Sequence, residues 1–268
     1  MREVPVAGAP HGPGLAGLAR SGPGSIMVSL AAVLLGLLAW QALAGAHVVP
    51  DYMLPSPRAV WEQWWALAQN GTLWHHTSAT LTEALLGFGV AFSVGTVVAY
   101  PLAKYRLVAS ILSPYVAGTQ AMPILALAPV LMVWFGLGLV SRTVICAIIV
   151  FFPILVNTAV GLQTVDRSMV ESAWTEGAGA WRTLWSIEVP LALRTILGGV
   201  RMGLTLSMTG AIVAEFVSSD AGLGYLMNLA RSEYNAPLLF VAALTMVGLA
   251  VLGYLLVGLL EHTLIDWE

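Results

Sequence analysis

Apolar residues in this chain fall in long, nearly unbroken runs separated by short polar stretches. A bilayer core needs about 20 mostly apolar residues per helix. The runs that qualify are roughly 26–46, 79–101, 107–135, 141–163, 192–217 and 238–260. They predict an all-α membrane protein of about six transmembrane helices. The third run is long and holds Pro114, Pro123 and Pro129. Each proline removes a backbone donor and crowds the preceding turn, so this run is expected to be kinked or split. A break of that kind survives in a membrane where packed protein or a cavity satisfies the freed backbone groups, which places the third run beside a pathway.

The segments outside these runs divide the rest of the chain. Residues 1–25 are rich in Gly, Pro and Ala without periodicity and read as a disordered tail. The run 26–46 ends in Ala44-Gly45-Ala46, which resembles a signal-peptidase site. It is about twice the usual apolar length of a cleaved signal, so it reads as a retained first span. Residues 47–78 carry Trp61, Trp64, Trp65 and Trp74 and read as an outer amphipathic segment at the membrane interface. Residues 79–268 form the core domain of five spans.

Composition agrees with this reading and narrows the function. Hydrophobic residues make up 58% of the 268 residues and charged residues 9%, with a mean hydropathy of +0.84, against about 25% charged residues in soluble domains. A net charge of −3 with no basic block argues against nucleic acid as a partner. The single cysteine, Cys146, excludes an intrachain disulfide and a cysteine metal site. The cations set orientation through the positive-inside rule. With the N-terminus inside, Arg2, Arg20, Lys104, Arg106, Arg167, Arg182 and Arg194 are cytoplasmic, Arg58, Arg142 and Arg231 lie outside, and Arg201 falls within the fifth span. Both termini are therefore expected in the cytoplasm.

This count also places in the cytoplasm an unusual island, Glu171 to Pro190, which is charged, tryptophan-rich and set between two spans. Two short helical stretches are expected there, roughly Arg167–Thr175 and Ala180–Ile187, meeting at a corner near Gly177 and Gly179, where glycine reaches backbone angles that other residues reach only at a cost. Pro190 is expected to end the island and start the fifth span. Trp174, Trp181, Leu184 and Trp185 supply apolar anchors of the kind that dominate interfaces.

The spacing Glu171-Ser172-Ala173, three residues, Gly177, nine residues, Ile187-Glu188-Val189-Pro190 resembles the EAA loop, the signature of membrane subunits of binding-protein-dependent ABC importers. It departs from the usual Glu-Ala-Ala-x3-Gly-x9-Ile-x-Leu-Pro at Ser172 and Val189. The resemblance covers most of residues 50–268. Pro55-Ser56-Pro57, Thr77–Phe88, Gln120-Ala121-Met122-Pro123 through Trp134-Phe135-Gly136, Asn157-Thr158 with Gly161, Ala214-Glu215 and Gly222-Leu223-Gly224 are similar to the nitrate, sulfonate and taurine branch. Thr80-Leu81-Thr82-Glu83-Ala84 and Ala214-Glu215-Phe216 look closer to members for thiamine pyrimidine precursors or riboflavin. Sulfonate-type members more often have arginine where Glu83 stands.

The resemblance implies a type I importer permease fold with a cytoplasmic coupling-helix pair, in a bacterial inner membrane. It implies a second copy of this permease, two ABC ATPase subunits and an extracytoplasmic substrate-binding protein. Glu171, Ala173, Gly177, Trp181, Ile187 and Pro190 would carry the coupling to the ATPase, across 166–190. No cofactor is expected on this chain, with ATP and Mg on the partner ATPase. The residues agree, because a nucleotide-binding P-loop needs Gly-x4-Gly-Lys-Ser/Thr, and the only lysine, Lys104, lies in Leu-Ala-Lys-Tyr-Arg.

Ionisable groups inside spans are functional candidates by default. Arg201, Glu215 and Glu83 are the candidates for pathway or gate, joined by the polar Gln120 and Asn157. Glu83 is expected about one turn into the second span, where an interfacial role and a pathway role are both open. Helix–helix hydrogen bonding explains Gln120 and Asn157 equally well. A stand-alone secondary transporter is the alternative, and it would show paired intramembrane ionisable groups and an internal repeat. A membrane enzyme lacks a nucleophile–base or metal constellation here.

Overall fold

The computed structural model describes residues 23–46, 50, 52–120 and 123–264. The expected N-terminal tail therefore lies largely outside the described residues, as do Ala121 and Met122 and the side chain of Gln120. Two units are distinguished, Met1–Ala59 and Val60–Glu268. The first holds α1 (Pro23–Gly45), an apolar helix of 23 residues, and the Trp40 indole donates to the Pro55 carbonyl at 2.9 Å. Ser56 Oγ accepts from the Ala59 amide at 3.2 Å, a serine cap at the start of α2 (Pro57–Gln69). Along α2, Trp61 and Trp64 stack with centroids 5.3 Å apart, and the helix ends where Gly71 takes φ +77°.

The second unit takes in the rest of α2 and, joined by short turns among its described residues, α3 (Thr72–Lys104), α4 (Arg106–Gln120), α5 (Ile124–Phe135), α6 (Leu139–Gln163), α7 (Arg167–Thr175), α8 (Ala180–Thr183), α9 (Val189–Val217), α10 (Leu223–Ser232) and α11 (Ala236–Leu264). Among the described residues, four helical stretches are long and apolar enough to cross a membrane: Thr72–Lys104, Leu139–Gln163, Ala180–Val217 and Ala236–Thr263. At 1.5 Å per residue the 33 residues of α3 reach about 50 Å.

Two boundaries differ from the sequence reading, and a third follows it. The second span begins at Thr72, not near 79, because polar His76 and Thr77 are turned into the protein, where a hydropathy window cannot find them. The third run is split, as its prolines led one to expect, into two helices, α4 and α5, with Pro123 extended (ψ 98°) at the start of the second. Pro190 breaks nothing. Leu184–Glu188 forms a π turn, and Ala180 to Val217 runs as one helical stretch. The wider π turn, placed just before the proline, relieves the clash its ring would make with the carbonyl four residues back.

Helix α6 is the centre of the bundle, and small residues let two helices approach it. On α3, Gly87, Ala91, Gly95 and Ala99 recur every four residues and form one face. A Cβ on Gly87 would stand 2.2 Å from Cys146 Cβ, and one on Gly95 would stand 3.1 Å from Ile154. On α9, added Cβ atoms would meet Asn157 at 2.7 Å from Gly199, Ile154 at 3.2 Å from Gly203 and Cys146 at 2.9 Å from Gly210. Close backbone approach is how membrane helices gain packing without a hydrophobic drive. Cys146 is thereby enclosed between α3 and α9. Apolar clusters around Ile145, Val150, Ile154 and Leu155 fill the remaining space. The outward residues of α11 (Val247, Val251, Leu255, Leu259) are large, apolar and exposed, as a lipid-facing or partner-facing surface requires.

Candidate functional site: a coupling loop and a buried polar knot

The island between α6 and α9 is a helix–corner–helix. Asp166 caps α7, its Oδ1 accepting from the Ser168 amide at 2.9 Å, which holds its carboxyl below the usual carboxylate range. The helix ends in a glycine stop. Gly177 takes φ +88°, and the Ala178 amide donates to Ala173 O at 2.9 Å. No atom lies within 4 Å of where a Gly177 Cβ would stand, so backbone angle, not space, is what demands glycine here. Ala173 is buried, Ile187 and Pro190 are half-buried, and Glu171 and Gly177 are exposed. Trp174, Trp181 and Trp185 all face outward, Trp181 at 73% exposure, with the rings of Trp181 and Trp185 edge to face at 5.7 Å. Beside them a 400 Å³ groove is lined by Ser168, Met169, Ser172, Ala173, Glu176 and Ile187. Exposed aromatic surface beside a shaped groove is the kind of surface that a protein partner or a membrane interface covers.

The other polar concentration lies at the far end of α3, about 32 Å along the helix from Lys104. Glu83 is three turns into α3 and 2% exposed, deeper than the sequence reading of one turn. Its partner is Arg142, whose guanidinium nitrogen sits 2.7 Å from Glu83 Oε1 and also donates to Ser219 Oγ at 2.6 Å. The sequence reading counted Arg142 among the outer cations. It lies in the first turn of α6 and is turned inward to Glu83. Glu215, fully buried on α9, accepts from Thr80 Oγ1 at 2.6 Å and from the Gly224 amide. Thr80 Oγ1 in turn accepts from the Leu223 amide at 2.8 Å, and His76 Nδ1 accepts from the Gly222 amide at 3.0 Å. The His76 ring stacks on Tyr225 at 5.6 Å. The turn entering α10 is thus tied by three consecutive amides to α3 and α9. A Cβ on Gly222 would fall 2.2 Å from Glu215 Cδ, so only glycine admits the carboxylate.

The other sequence candidates go elsewhere. Arg201 joins Glu261 on α11 and lies 4.7 Å from the Tyr254 ring centre, away from Glu83 and Glu215. Asn157 Nδ2 donates to Pro153 O at 2.8 Å within its own helix, and its Cβ is the atom against which Gly199 packs. Gln120 ends α4. Sequence reasoning missed His76, Thr80 and Arg142, although two acids in spans with so few outer cations was a signal that one of those cations turns inward.

Comparison with known proteins places this architecture. Residues 91–266 match the family described as binding-protein-dependent transport system inner membrane component. The chain belongs to this family. It is 43% identical over 236 residues to the riboflavin transport system permease protein RibX of Chloroflexus aurantiacus, covering 88% of each chain. It is 34% identical to a probable ABC transporter permease protein of Haemophilus influenzae, covering 85% of this chain and 93% of that one. It is also 28% identical to the taurine transport system permease protein TauC of Escherichia coli, over 91% of this chain and 90% of that one. Its fold is that of the permease in the inward-facing methionine ABC transporter MetNI, with a TM-score of 0.59 at 17% identity over 76% of this chain and 98% of that one. This family member is therefore an all-α type I importer permease, the transmembrane subunit of an ABC importer in a multi-pass membrane setting. Membership implies an ABC ATPase and a substrate-binding protein as its partners.

Proposed function

We propose that this permease imports riboflavin or a closely similar flavin. The observation that carries the reading is the 43% identity to the riboflavin permease across 88% of both chains. A cavity of 440 Å³ midway along α3 is in keeping with it. Its walls come from α3, α5 and α6, include Val94, Leu127, Ile148, Phe151 and Phe152, and carry no charged side chain. That volume lies within the range of sites for small organic ligands. Walls of this kind suit an uncharged planar ring system and offer nothing to a sulfonate or nitrate, which would demand a cation or aimed amides.

In this reading the permease works as a pair of identical subunits, with both termini and the Glu171–Pro190 island in the cytoplasm. Each island seats in a cleft of an ATPase subunit, which holds the ATP and Mg. A binding protein delivers the flavin at the opposite face, where the Gly222–Tyr225 turn lies. ATP binding shifts the pair between inward-open and outward-open only in so far as it binds one of those states better. The test is ATP-dependent uptake of labelled riboflavin into proteoliposomes holding the permease and its cognate ATPase, with the cognate binding protein added. Saturable uptake unaffected by excess taurine or an aminopyrimidine is expected. Uptake of taurine or the aminopyrimidine without riboflavin would overturn the flavin assignment.

A further inference from the structure

Two routes lead from the island into the spans. One is covalent, the unbroken helical stretch from Ala180 through the π turn into α9. The other is a single ion pair. Lys104, the only lysine of the chain and the last residue of α3, reaches Glu188 Oε1 at the end of the π turn. Glu188 is 2% exposed, and its second oxygen, Oε2, has no hydrogen-bond partner. Among the described residues Lys104 is the cation that answers this buried carboxylate.

Its position gives the pair more than a structural meaning. Lys104 stands at the junction of α3 and α4, where Tyr105 leaves helical geometry at φ −112° and ψ 110°. From that junction α3 runs to the wall of the 440 Å³ cavity, and α4 leads through the Pro123 break to α5, which forms another wall. Glu188 lies directly after the residues that form the island groove and its tryptophans. An apolar contact at this place would let the two elements slide. Parting the pair is costly because Glu188, 2% exposed, would be left with an uncompensated charge in a poorly solvated site, while Lys104 keeps its access to solvent.

We propose that Lys104–Glu188 is the strut that carries displacement of the island to α3 and α4, so that closure of the ATPase reaches both sides of the cavity together. The proposal rests on the reading of the island as the ATPase-docking element. Neither residue touches cargo; they are positioning residues. The π turn then has a role as well, since it sets Glu188 facing α3 before the helix resumes regular winding.

The experiment uses the permease co-expressed with its cognate ATPase, reconstituted with the cognate binding protein, in the variants Lys104→Met, Glu188→Gln, Lys104→Arg and the double variant K104M/E188Q. Expected is a tenfold or greater loss of riboflavin uptake in the two single neutral variants, with ATPase co-purifying at the parental ratio. ATP hydrolysis should no longer rise when loaded binding protein is added. Lys104→Arg should keep most uptake. The double variant decides between a strut and mere charge compensation. It should regain the thermal stability of the parent, having no buried charge left over, yet stay defective in transport. Uptake within twofold of the parent in Lys104→Met or in the double variant would overturn the proposal. Loss of the ATPase from the double variant would overturn it too, because the pair would then belong to docking. Failure of the docking reading itself shows separately, as retention of the ATPase when Gly177 is replaced.

Discussion

At one end of α3 the charged groups point inward and find partners; at the other, the apolar groups point outward and have none. Glu83, Glu215, Thr80 and Arg142 are buried or nearly so, and they bond to one another and to the amides of the Gly222 turn. Trp174, Trp181 and Trp185 stand exposed beside an open groove. Both regions look alike in a linear sequence, as polar or mixed interruptions of apolar runs. They differ in what is left unsatisfied. A polar cluster satisfied largely from within, with Glu83 Oε2 and Thr77 Oγ1 as its buried unbonded atoms, holds helices in register and has little to offer a partner, whereas exposed aromatic surface gains by being covered. Substitutions at the first region should therefore cost stability, and those at the second should cost assembly.

The largest effect is expected at the knot. Arg142→Met leaves Glu83 buried without its cation, and breaking such a pair costs roughly 3–5 kcal/mol. Thermal unfolding in detergent should show a large drop in Tm, most of it recovered when Glu83→Gln is added. If Arg142→Met unfolds like the parent, the knot is not what fixes the α3, α6 and α9 ends. At the island, Trp181→Ala should leave stability within about 0.5 kcal/mol, as for other exposed sites, while weakening ATPase binding by about 2 kcal/mol, the scale of an interface anchor. Titration of the ATPase onto the permease in nanodiscs reads this directly. A stability loss without an affinity loss would erase the contrast between the two regions. The smallest effect belongs to Asp166. Its carboxyl is held below the usual range by the Ser168 amide, so the cap is fully present at neutral pH and fades as pH falls through that lowered value. Protection from hydrogen exchange at the first turn of α7, taken relative to the intrinsic exchange rate at each pH, should fall under acid conditions and in Asp166→Ala, where the acid dependence of protection should vanish.

The spans were legible because a water-soluble fold rarely strings together twenty apolar residues, and the island was legible because its spacing of Glu171, Gly177, Ile187 and Pro190 is fixed. Boundaries failed where residues answered to tertiary partners. His76 read as polar interface, yet it lies within α3, which starts two turns earlier than expected, and the Gly222 turn bonds to it. Arg142 read as an outer cation because nothing local shows that Glu83 lies opposite. Pro190 read as a helix boundary, and the π turn that lets a helix pass through it carries no sequence mark. Arg201 was legible as a charge within a span, but its pairing with Glu261 depends on how α9 and α11 cross.

The central claim is that the Glu171–Pro190 island is where the ATPase docks. The most direct measurement replaces Gly177, whose φ of +88° requires glycine while the space around it is open, by valine in a tagged permease co-expressed with its cognate ATPase. The expected result is a permease with near-parental yield and an unfolding temperature lowered only modestly by backbone strain at the corner, from which the ATPase is lost or reduced at least tenfold. A Gly177→Val permease that retains the ATPase at the parental ratio and still transports would contradict it.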